Sequence, residues 1–231
     1  MAIPTPVSYW NLDEISGNAT DAVDSNTLTN ANVTYQTGKL GNGALFNSSS
    51  DKLSITDASQ TGLDIVGDLS ISSWIKLSAQ TTNTNLVNKW SNTSNQRGFM
   101  FYAEPGYLNF DFTPSGTDTP GNYKRTAWTP TLDVWYHVGV VFTASTKNVR
   151  FFVDGVQLGI DQTTTNGSIL NSTASFCLGI RGSDSTQPLA GMMDMVGIWN
   201  VPLTDAEMGA VYNSGVGVQY PFPKPSFLAF M

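Results

Sequence analysis

The segment 191-GMMDMVGIWN-200 contains one carboxylate, Asp194, within a run of apolar residues. If the segment is a β-strand, Asp194 shares a face with Met192, Val196 and Ile198, because successive side chains point to opposite faces. A carboxylate among aliphatic neighbours either ionises beside a partner or binds a proton. The sequence therefore predicts a partner for Asp194: a cation, an Arg or Lys side chain, or backbone N–H groups.

Two further stretches have the composition that sugar recognition needs, with aromatic rings beside amide and guanidinium groups. They are 88-NKWSNTSNQRGF-99 and 120-PGNYKRTAW-128. The candidate ligand-binding residues are Trp90, Arg97, Tyr123, Arg125 and Trp128. In the alternative interpretation the aromatic side chains serve packing, with Trp128 closing an edge of the fold.

Nucleophilic catalysis has little support in the sequence. His137 is the only histidine, and no G-x-S-x-G motif accompanies it. A single histidine in a strand is more often a packing or hydrogen-bonding residue than a base. Cys177 lies between two apolar residues and is typical of a small buried side chain. There is also no cysteine and histidine spacing typical of zinc sites and no phosphate-binding glycine loop. We therefore expect no enzyme.

The elements that carry these residues are predicted to be strands. Runs rich in β-branched and aromatic residues alternate with clusters of Gly, Asn, Ser, Thr and Pro. In 69-LSISSWIKLS-78, Leu69 to Leu77 alternate between two faces, and Asp154-Gly155 predicts a tight hairpin turn. One helix is predicted within 204-TDAEMGAVYNSG-215, where Thr204 and Glu207 form a capping box. The chain is therefore predicted to be an antiparallel all-β protein with one short C-terminal helix.

The charge and composition limit the possible partners. The chain has 231 residues, a formal net charge of −7 and only 13% charged residues. The absence of any basic run argues against a nucleic-acid partner. No apolar run is long enough to span a bilayer, so we expect no membrane insertion. The N-terminal residues have neither a basic region nor an uninterrupted apolar one, so we expect no signal peptide.

Several segments, in this order, resemble the laminin-G-like jelly roll of the concanavalin A-like superfamily, in its pentraxin-related branch. They are 9-YWNLDEISGNATDAVDSN-26, 38-GKLGNGALFN-47, 69-LSISSWIKL-77, 135-WYHVGVVFT-143 with 149-VRFFVDGVQLG-159, and 191-GMMDMVGIWNVPLTDAEM-208. The resemblance covers roughly residues 7–218. It implies an all-β, two-sheet antiparallel jelly-roll sandwich in which the first and last strands lie side by side.

The resemblance also supplies a candidate partner for Asp194. In such folds the strand of Asp194 runs beside the N-terminal segment, which brings the acidic turn 21–26 within reach. Family members often carry a structural calcium in this neighbourhood, and oxygen ligands favour that ion. We therefore expect Asp194 and Asp24 to share a Ca²⁺, with Asp21 and Asn26 as further candidate ligands. The alternative, hydrogen bonds to Asp194 without a metal, stays open.

Some members of this superfamily hydrolyse polysaccharides, which requires two carboxyl groups across a cleft. In the glucanase branch these groups follow a Glu-x-Asp-x-(x)-Glu spacing on one strand. The glutamates of this chain are Glu14, Glu104 and Glu207, and none has a second acid at that spacing. The resemblance therefore leaves the expectation of a non-catalytic protein unchanged.

The predicted function is that of a non-catalytic binding or adhesion module with weak glycan affinity. The lack of an export signal and the Asn, Thr and Ser-rich composition suit a bacteriophage virion surface protein, such as a capsid decoration or fibre head. Its partners would then be glycans or other virion proteins, and its location the virion surface or otherwise the extracellular space. The alternative is a carbohydrate-binding module associated with polysaccharide degradation.

The last residues differ from the rest of the chain. Residues 1–219 are predicted to form the jelly-roll domain, and 220-YPFPKPSFLAFM-231 to form a tail in which prolines alternate with aromatic residues. This tail either folds back on its own domain, or is a remnant unrelated to the fold, or is an arm that docks on a neighbouring subunit. The last alternative predicts a homo-oligomer.

Overall fold

The computed structural model of the protein describes residues 2–80, 82–182 and 186–224. Within these residues, two antiparallel sheets stack to form a sandwich, and one short α-helix lies on the outside of the larger sheet. This confirms the all-β fold predicted from the residues and the two-sheet jelly roll that the family resemblance implies. No helix in the described ranges has the length and apolar character needed to cross a bilayer.

The larger sheet has eight strands in the order β13-β12-β11-β6-β15-β4-β3, with β1 paired to β15. Its strands are β1 (Ser8–Trp10), β3 (Thr34–Thr37), β4 (Asn42–Phe46), β6 (Leu69–Leu77), β11 (Trp135–Thr143), β12 (Asn148–Val153), β13 (Val156–Thr163) and β15 (Gly191–Trp199). Tyr9 pairs with Gly197 across β1 and β15, so the first and last strands are neighbours, as the resemblance implies.

The smaller sheet has seven strands in the order β10-β9-β8-β7-β14-β5-β2. Its strands are β2 (Thr29–Ala31), β5 (Lys52–Ile55), β7 (Thr84–Ser91), β8 (Gln96–Glu104), β9 (Tyr107–Phe112), β10 (Lys124–Ala127) and β14 (Phe176–Leu178). Short 3-10 turns occupy Asp57–Ser59, Thr93–Asn95 and Asn213–Gly215.

The main core fills the space between the sheets and is rich in aromatic rings. Phe112 on β9 packs against Phe142 on β11 with ring centroids 4.6 Å apart, and both side chains are fully buried. On β6 the alternation predicted from the sequence is confirmed, because Ile71 and Ile75 face this core while Trp74 faces away from it. Burial of the apolar face of each sheet therefore holds the two layers together.

A second cluster covers the outer face of the larger sheet. The helix α1 (Asp205–Tyr212) begins at Thr204, whose side chain forms the predicted capping box with Glu207. It ends at Asn213, which adopts the left-handed conformation of a helix C-cap, two residues before the predicted stop at Gly215. Met208 and Val211 of this helix pack on Trp74 and its neighbours. The hairpin turn predicted at Asp154-Gly155 is also confirmed, with positive φ at both residues.

The first residues of the predicted tail fold back on the domain. The Tyr220 backbone N–H donates to Asn11, and the Asn11 amide donates to the Tyr220 carbonyl at 2.9 Å. The Phe222 ring stacks parallel to Trp199 with centroids 6.4 Å apart. Residues 225–231, on which the predicted arm depends, lie outside the described residues. An oligomer formed through the tail therefore stays a prediction.

Gly179 offers a test of how closely the two sheets approach. Its φ is +81°, and an added Cβ would lie 2.2 Å from the ring of the buried Phe46 on the opposite sheet. We expect Gly179→Ala to lower the free energy of unfolding by about 3 kcal/mol, because it adds backbone strain and a clash in a packed core. Urea unfolding measures this change.

Gly106→Ala is the matched control, since Gly106 has a φ of +86° and no atom within 4 Å of the added Cβ. It isolates backbone strain, which costs about 1 kcal/mol. Equal losses in the two variants would contradict the close contact between Gly179 and Phe46.

Candidate functional site

Polar and aromatic side chains lie on the outer face of the smaller sheet, at the end formed by β8, β9 and β10. On β8 and β9, alternate residues such as Phe101 and Phe110 enter the core. Their neighbours point outward, and cross-strand pairing places them side by side: Met100 with Asp111, Tyr102 with Asn109, and Glu104 with Tyr107. Arg125 on β10 pairs with Asn109 and joins the same face. The inward aromatic residues thus determine which side chains lie on the outer face of the sheet, where Met100, Tyr102 and Asn109 are covered by neighbouring side chains.

A surface pocket of about 390 Å³ opens at this face. It lies between β9 and the loop that leads into β10, and it is lined by Asp111, Asp118, Thr119, Pro120, Gly121 and Tyr123. Tyr123 is 38% exposed, so its ring is accessible to a ligand. The pocket therefore combines two carboxylates with one accessible aromatic ring.

The surroundings of the pocket change the pKa of Asp111. Burial, and then the nearby Asp118 carboxylate, raise the pKa of Asp111 to about 6. The Phe112 backbone N–H and the Arg97 guanidinium oppose that rise. Arg97 Nη1 lies 3.3 Å from Asp118 Oδ1 and partly compensates the two acids. At neutral pH the Asp111 carboxylate is mostly ionised and accepts hydrogen bonds, since neutrality lies above its pKa.

A polar and aromatic cluster borders the pocket. The Tyr123 hydroxyl is 2.8 Å from Asn109 Oδ1 and 3.1 Å from Glu104 Oε1. Arg125 Nη1 donates to the same Glu104 oxygen at 3.0 Å, and the Arg125 guanidinium lies 4.0 Å from the Tyr107 ring centroid. The shared carboxylate and the ring contact hold Tyr123 and Arg125 in defined orientations.

The structure brings together three of the five predicted ligand-binding residues: Arg97, Tyr123 and Arg125 all lie at this face. The other two are corrected. Trp90 is only 4% exposed and packs with Met100 and Tyr102 beneath the surface. Trp128 is 8% exposed, belongs to the main core and meets the Tyr136 ring edge to face at 5.7 Å. Neither indole offers an open stacking surface, because both rings pack against neighbouring side chains.

The acidic residues of the pocket, Asp111 and Asp118, and the neighbouring Asn109 are not among the ligand-binding residues predicted from the sequence. The signal was present in 107-YLNFDF-112, where Tyr107, Asn109 and Asp111 alternate with Leu108, Phe110 and Phe112. This alternation places the three polar or amphipathic residues on one face of a strand. Asp118 lies in a loop, and only the structure shows that it reaches Arg97.

Asp194 lies on the opposite side of the sandwich from this pocket. A β-bulge shifts the register of β15 between Asp194 and Gly197, and Met195 has a φ of +48°. Val196 and Ile198 therefore face the main core, whereas Met195 and Trp199 belong to the outer cluster that also contains Trp74, the cross-strand partner of Asp194. The predicted face is wrong for Val196 and Ile198, because the extra residue of a bulge reverses the alternation.

The partners of Asp194 in the structure are backbone N–H groups. Lys39 and Leu40 donate to Asp194 Oδ2 at 2.7 and 3.0 Å, while Oδ1 is buried without a partner in the described structure. Burial raises the pKa of Asp194 to about 7, although these N–H groups and that of Met195 oppose the rise. These hydrogen bonds are the ones that the alternative interpretation predicts for Asp194, and the absence of a metal stays a prediction.

The other three predicted calcium ligands, Asp24, Asp21 and Asn26, do not form a metal-binding cluster with Asp194 in the described residues. Asp21 accepts hydrogen bonds from the backbone N–H groups of Tyr9, Val23 and Asn26, and the Asn26 amide donates to Ser8. Asp24 is exposed. Over the ranges described, no group of three or more Asp, Glu, His or Cys side chains is arranged to hold a metal. These residues do not fit a shared ion, and calcium binding stays a prediction.

The single histidine and the single cysteine are both buried. His137 Nε2 lies 3.0 Å from Ser72 Oγ, and burial lowers the pKa of His137 to about 3, so the imidazole is neutral at physiological pH. Burial raises the pKa of Cys177 to about 12, so its sulfur is a thiol. A buried neutral imidazole and a buried thiol match the packing roles expected from the sequence.

The two stacked antiparallel sheets define the protein as a jelly-roll sandwich. A family model described as the concanavalin A-like lectin/glucanases superfamily matches residues 47–209, more than half of the chain. The chain belongs to this superfamily. No curated protein sequence matches it significantly.

Solved structures show the same fold at low sequence identity. The binding domain of Paraclostridial Mosquitocidal Protein 1 is 15% identical, with a TM-score of 0.69 over 91% of this chain and 52% of that chain. The botulinum neurotoxin serotype D binding domain is also 15% identical, with a TM-score of 0.65 over 90% of this chain and 51% of that chain. The protein therefore spans about half the length of these two toxin chains.

A third structure matches over nearly its whole length. It is domain 4 of AbnA, a GH43 extracellular arabinanase from Geobacillus stearothermophilus, in complex with arabinotriose. This domain is 18% identical, with a TM-score of 0.57 over 90% of this chain and 98% of that chain. The pentraxin of Limulus polyphemus has a TM-score of 0.50 at 18% identity over 64% of this chain and 70% of that chain.

Asp194 predicts a pH dependence of stability. Its pKa is about 7 in the folded chain, against an ordinary value of 3.8. Below 3.8 the carboxyl is protonated in both states, whereas between 3.8 and 7 only the unfolded chain has lost the proton. We therefore expect the contribution of Asp194 to stability to fall as the pH rises through this window, by at most about 1.4 kcal/mol per pH unit.

The measurement compares the parent protein with Asp194→Asn by urea unfolding between pH 4 and pH 8. The variant keeps an oxygen that can accept from Lys39 and Leu40 but has no titrating group, so the difference between the two proteins isolates Asp194. Parallel profiles would contradict the raised pKa.

Proposed function

We propose that the protein is a non-catalytic glycan-binding module that receives a neutral oligosaccharide in the pocket between β9 and the 118–121 loop. The observation that carries this proposal is the combination of two carboxylates, a compensating guanidinium and an accessible tyrosine ring around one open pocket. Two other pockets of about 390 and 380 Å³ are lined mostly by serine and threonine.

The chemistry of the pocket suits sugar hydroxyl groups. Carboxylate oxygens accept hydrogen bonds from vicinal hydroxyls, and an aromatic ring packs against the C–H face of a pyranose or furanose. Asp111 and Asp118 supply the first kind of contact, and Tyr123 supplies the second. Because Arg97 compensates part of the negative charge, the pocket keeps acceptor groups without a strong repulsive field.

The similar structures support a binding role by analogy of fold. The matching arabinanase domain was solved with arabinotriose, and the toxin matches are binding domains. These proteins are less than 20% identical to this chain, so they suggest a class of ligand and not the position of the site. Because the matching arabinanase domain was solved with arabinotriose, this sugar and related neutral oligosaccharides are suitable probes.

The proposal also concerns the setting in which the module acts. Display on a bacteriophage virion, with other virion proteins as partners, stays a prediction from the sequence. The alternative, an accessory module of polysaccharide degradation, is favoured by the nearly complete coverage of the arabinanase domain. A glycan site is compatible with both settings, which differ in the molecule that carries the module.

Tyr123 is the residue whose removal tests the pocket most directly. We expect the parent protein to bind members of a neutral oligosaccharide panel that includes arabinotriose, and Tyr123→Ala to weaken that binding about tenfold, because a stacking surface is lost. Isothermal titration calorimetry gives the affinities. Tyr35→Ala, on the edge strand of the other sheet, is the control and should bind like the parent. Equal weakening in both variants would contradict the assignment of the pocket.

The ionisation of Asp111 predicts a pH dependence of binding. Its pKa of about 6 means that the carboxylate gains a proton as the pH falls from 7 to 5. An ionised carboxylate accepts two or more hydroxyl hydrogen bonds and a protonated one fewer, so affinity should fall in this range. Titrations at pH 5, 6, 7 and 8 measure the effect. Asp111→Asn should bind more weakly than the parent at pH 7 and show a flatter profile. A parent profile that is flat or rises at low pH would be inconsistent with a hydrogen-bonding carboxylate.

A further inference from the structure

The wall of the pocket is the segment 113–121, which includes the lining residues 118–121. This segment contacts the turn that joins β7 to β8 and the start of β8. Thr113 Oγ1 donates to the Arg97 carbonyl at 2.5 Å, and the Gly116 backbone N–H donates to the same Thr113 oxygen at 2.8 Å. Gly116 lies so close to this turn that an added Cβ would be 1.7 Å from the Asn95 carbonyl oxygen. The first half of the wall is therefore held by the Thr113 hydroxyl and by the close approach of the Gly116 and Asn95 backbones.

The second half of the wall, at Asp118, is held by a series of contacts between side chains. The carboxamide oxygen of Asn92 accepts from Trp90 Nε1 at 3.2 Å and from Arg97 Nε at 3.0 Å. Arg97 Nη1 then reaches Asp118 Oδ1 at 3.3 Å. Asn92 does not line the pocket, yet its oxygen joins the buried indole to the guanidinium that contacts the wall.

The burial of each member explains why this chain of contacts matters. The Asp118 side chain is 84% exposed and that of Arg97 is 19% exposed. An exposed ion pair by itself contributes little, because two long side chains lose rotamer freedom to form it. Trp90 is rigid, since it packs on Met100 and Tyr102 under the surface. An acceptor anchored on that indole fixes the Arg97 guanidinium before the ion pair forms, which lowers the entropy cost.

We propose that Asn92 is a positioning residue of the pocket. Its oxygen, held by the Trp90 indole, aims Arg97 at Asp118 and keeps residues 116–121 in the conformation that receives the ligand. Trp90, expected from the sequence to stack on a sugar, thus contributes from beneath the surface through a hydrogen bond. The effect on affinity rests on the proposed function, whereas the ordering of the wall is a property of the ligand-free protein.

The experiment uses the full chain with three substitutions in the turn. Asn92→Ala removes the acceptor oxygen at an exposed position. Asn92→Asp keeps an oxygen that can accept from both Trp90 and Arg97, and it serves as the conservative rescue. Thr93→Ala, at the next exposed position of the same turn, is the control.

The first readouts need no ligand: the NMR resonance of the Arg97 Nε–H group and the hydrogen exchange rates of the backbone amides of residues 116–121. We expect Asn92→Ala to shift the Arg97 resonance and to speed the exchange about fivefold, and Asn92→Asp and Thr93→Ala to leave both close to the parent. An unchanged resonance or unchanged exchange in Asn92→Ala would overturn the proposal, as would a failure of Asn92→Asp to restore them.

The second readout is the affinity for the oligosaccharide of the panel that the parent binds most tightly. We expect Asn92→Ala to weaken this affinity about fivefold and Asn92→Asp to stay within about twofold of the parent. Unchanged affinity in Asn92→Ala, beside a loosened wall, would also overturn the proposal. A parent that binds no member of the panel would contradict the proposed function instead, and the ligand-free readouts would still decide whether Asn92 orders the wall.

Discussion

The structure depends on the burial of an aromatic layer between the two sheets. Rings such as Phe112 and Phe142 meet at the centre of this layer, where both are fully shielded from water. A strand that places such a ring in the core cannot shift by one residue without turning the ring toward solvent. The core therefore fixes the register of β8 and β9, and with it the outward positions of Tyr107, Asn109 and Asp111. The pocket is a consequence of this packing constraint.

Much of the fold can be predicted from the sequence because its signals are local. The alternation in 69-LSISSWIKLS-78, the Asp154-Gly155 turn and the Thr204 capping box each specify structure within a few residues, and the structure confirms each of them. The choice of a jelly roll, with β1 beside β15, depends on pairing between distant segments. Local patterns do not encode such pairing, and the family resemblance supplied it.

The candidate site is harder to predict because it depends on burial. Trp90 and Trp128 have the residue type that sugar sites use, but a single sequence does not reveal whether a ring faces solvent or a neighbouring strand. Asp194 shows the same difficulty, since one bulge at Met195 moves Val196 and Ile198 to the face opposite the one expected. Tyr123 and Arg125 lie on or beside an edge strand, where polar side chains reach solvent, and their role in ligand binding stays a prediction.

The two ends of the described chain lie on the side of the sandwich away from the pocket. Ile3 and Phe222 both pack against the cluster that covers the larger sheet, and the Trp199 indole donates to the Pro4 carbonyl. The pocket opens on the outer face of the smaller sheet. A partner that contacts the protein beside Ile3 or Phe222 would therefore lie over the larger sheet and leave the pocket on the smaller sheet uncovered.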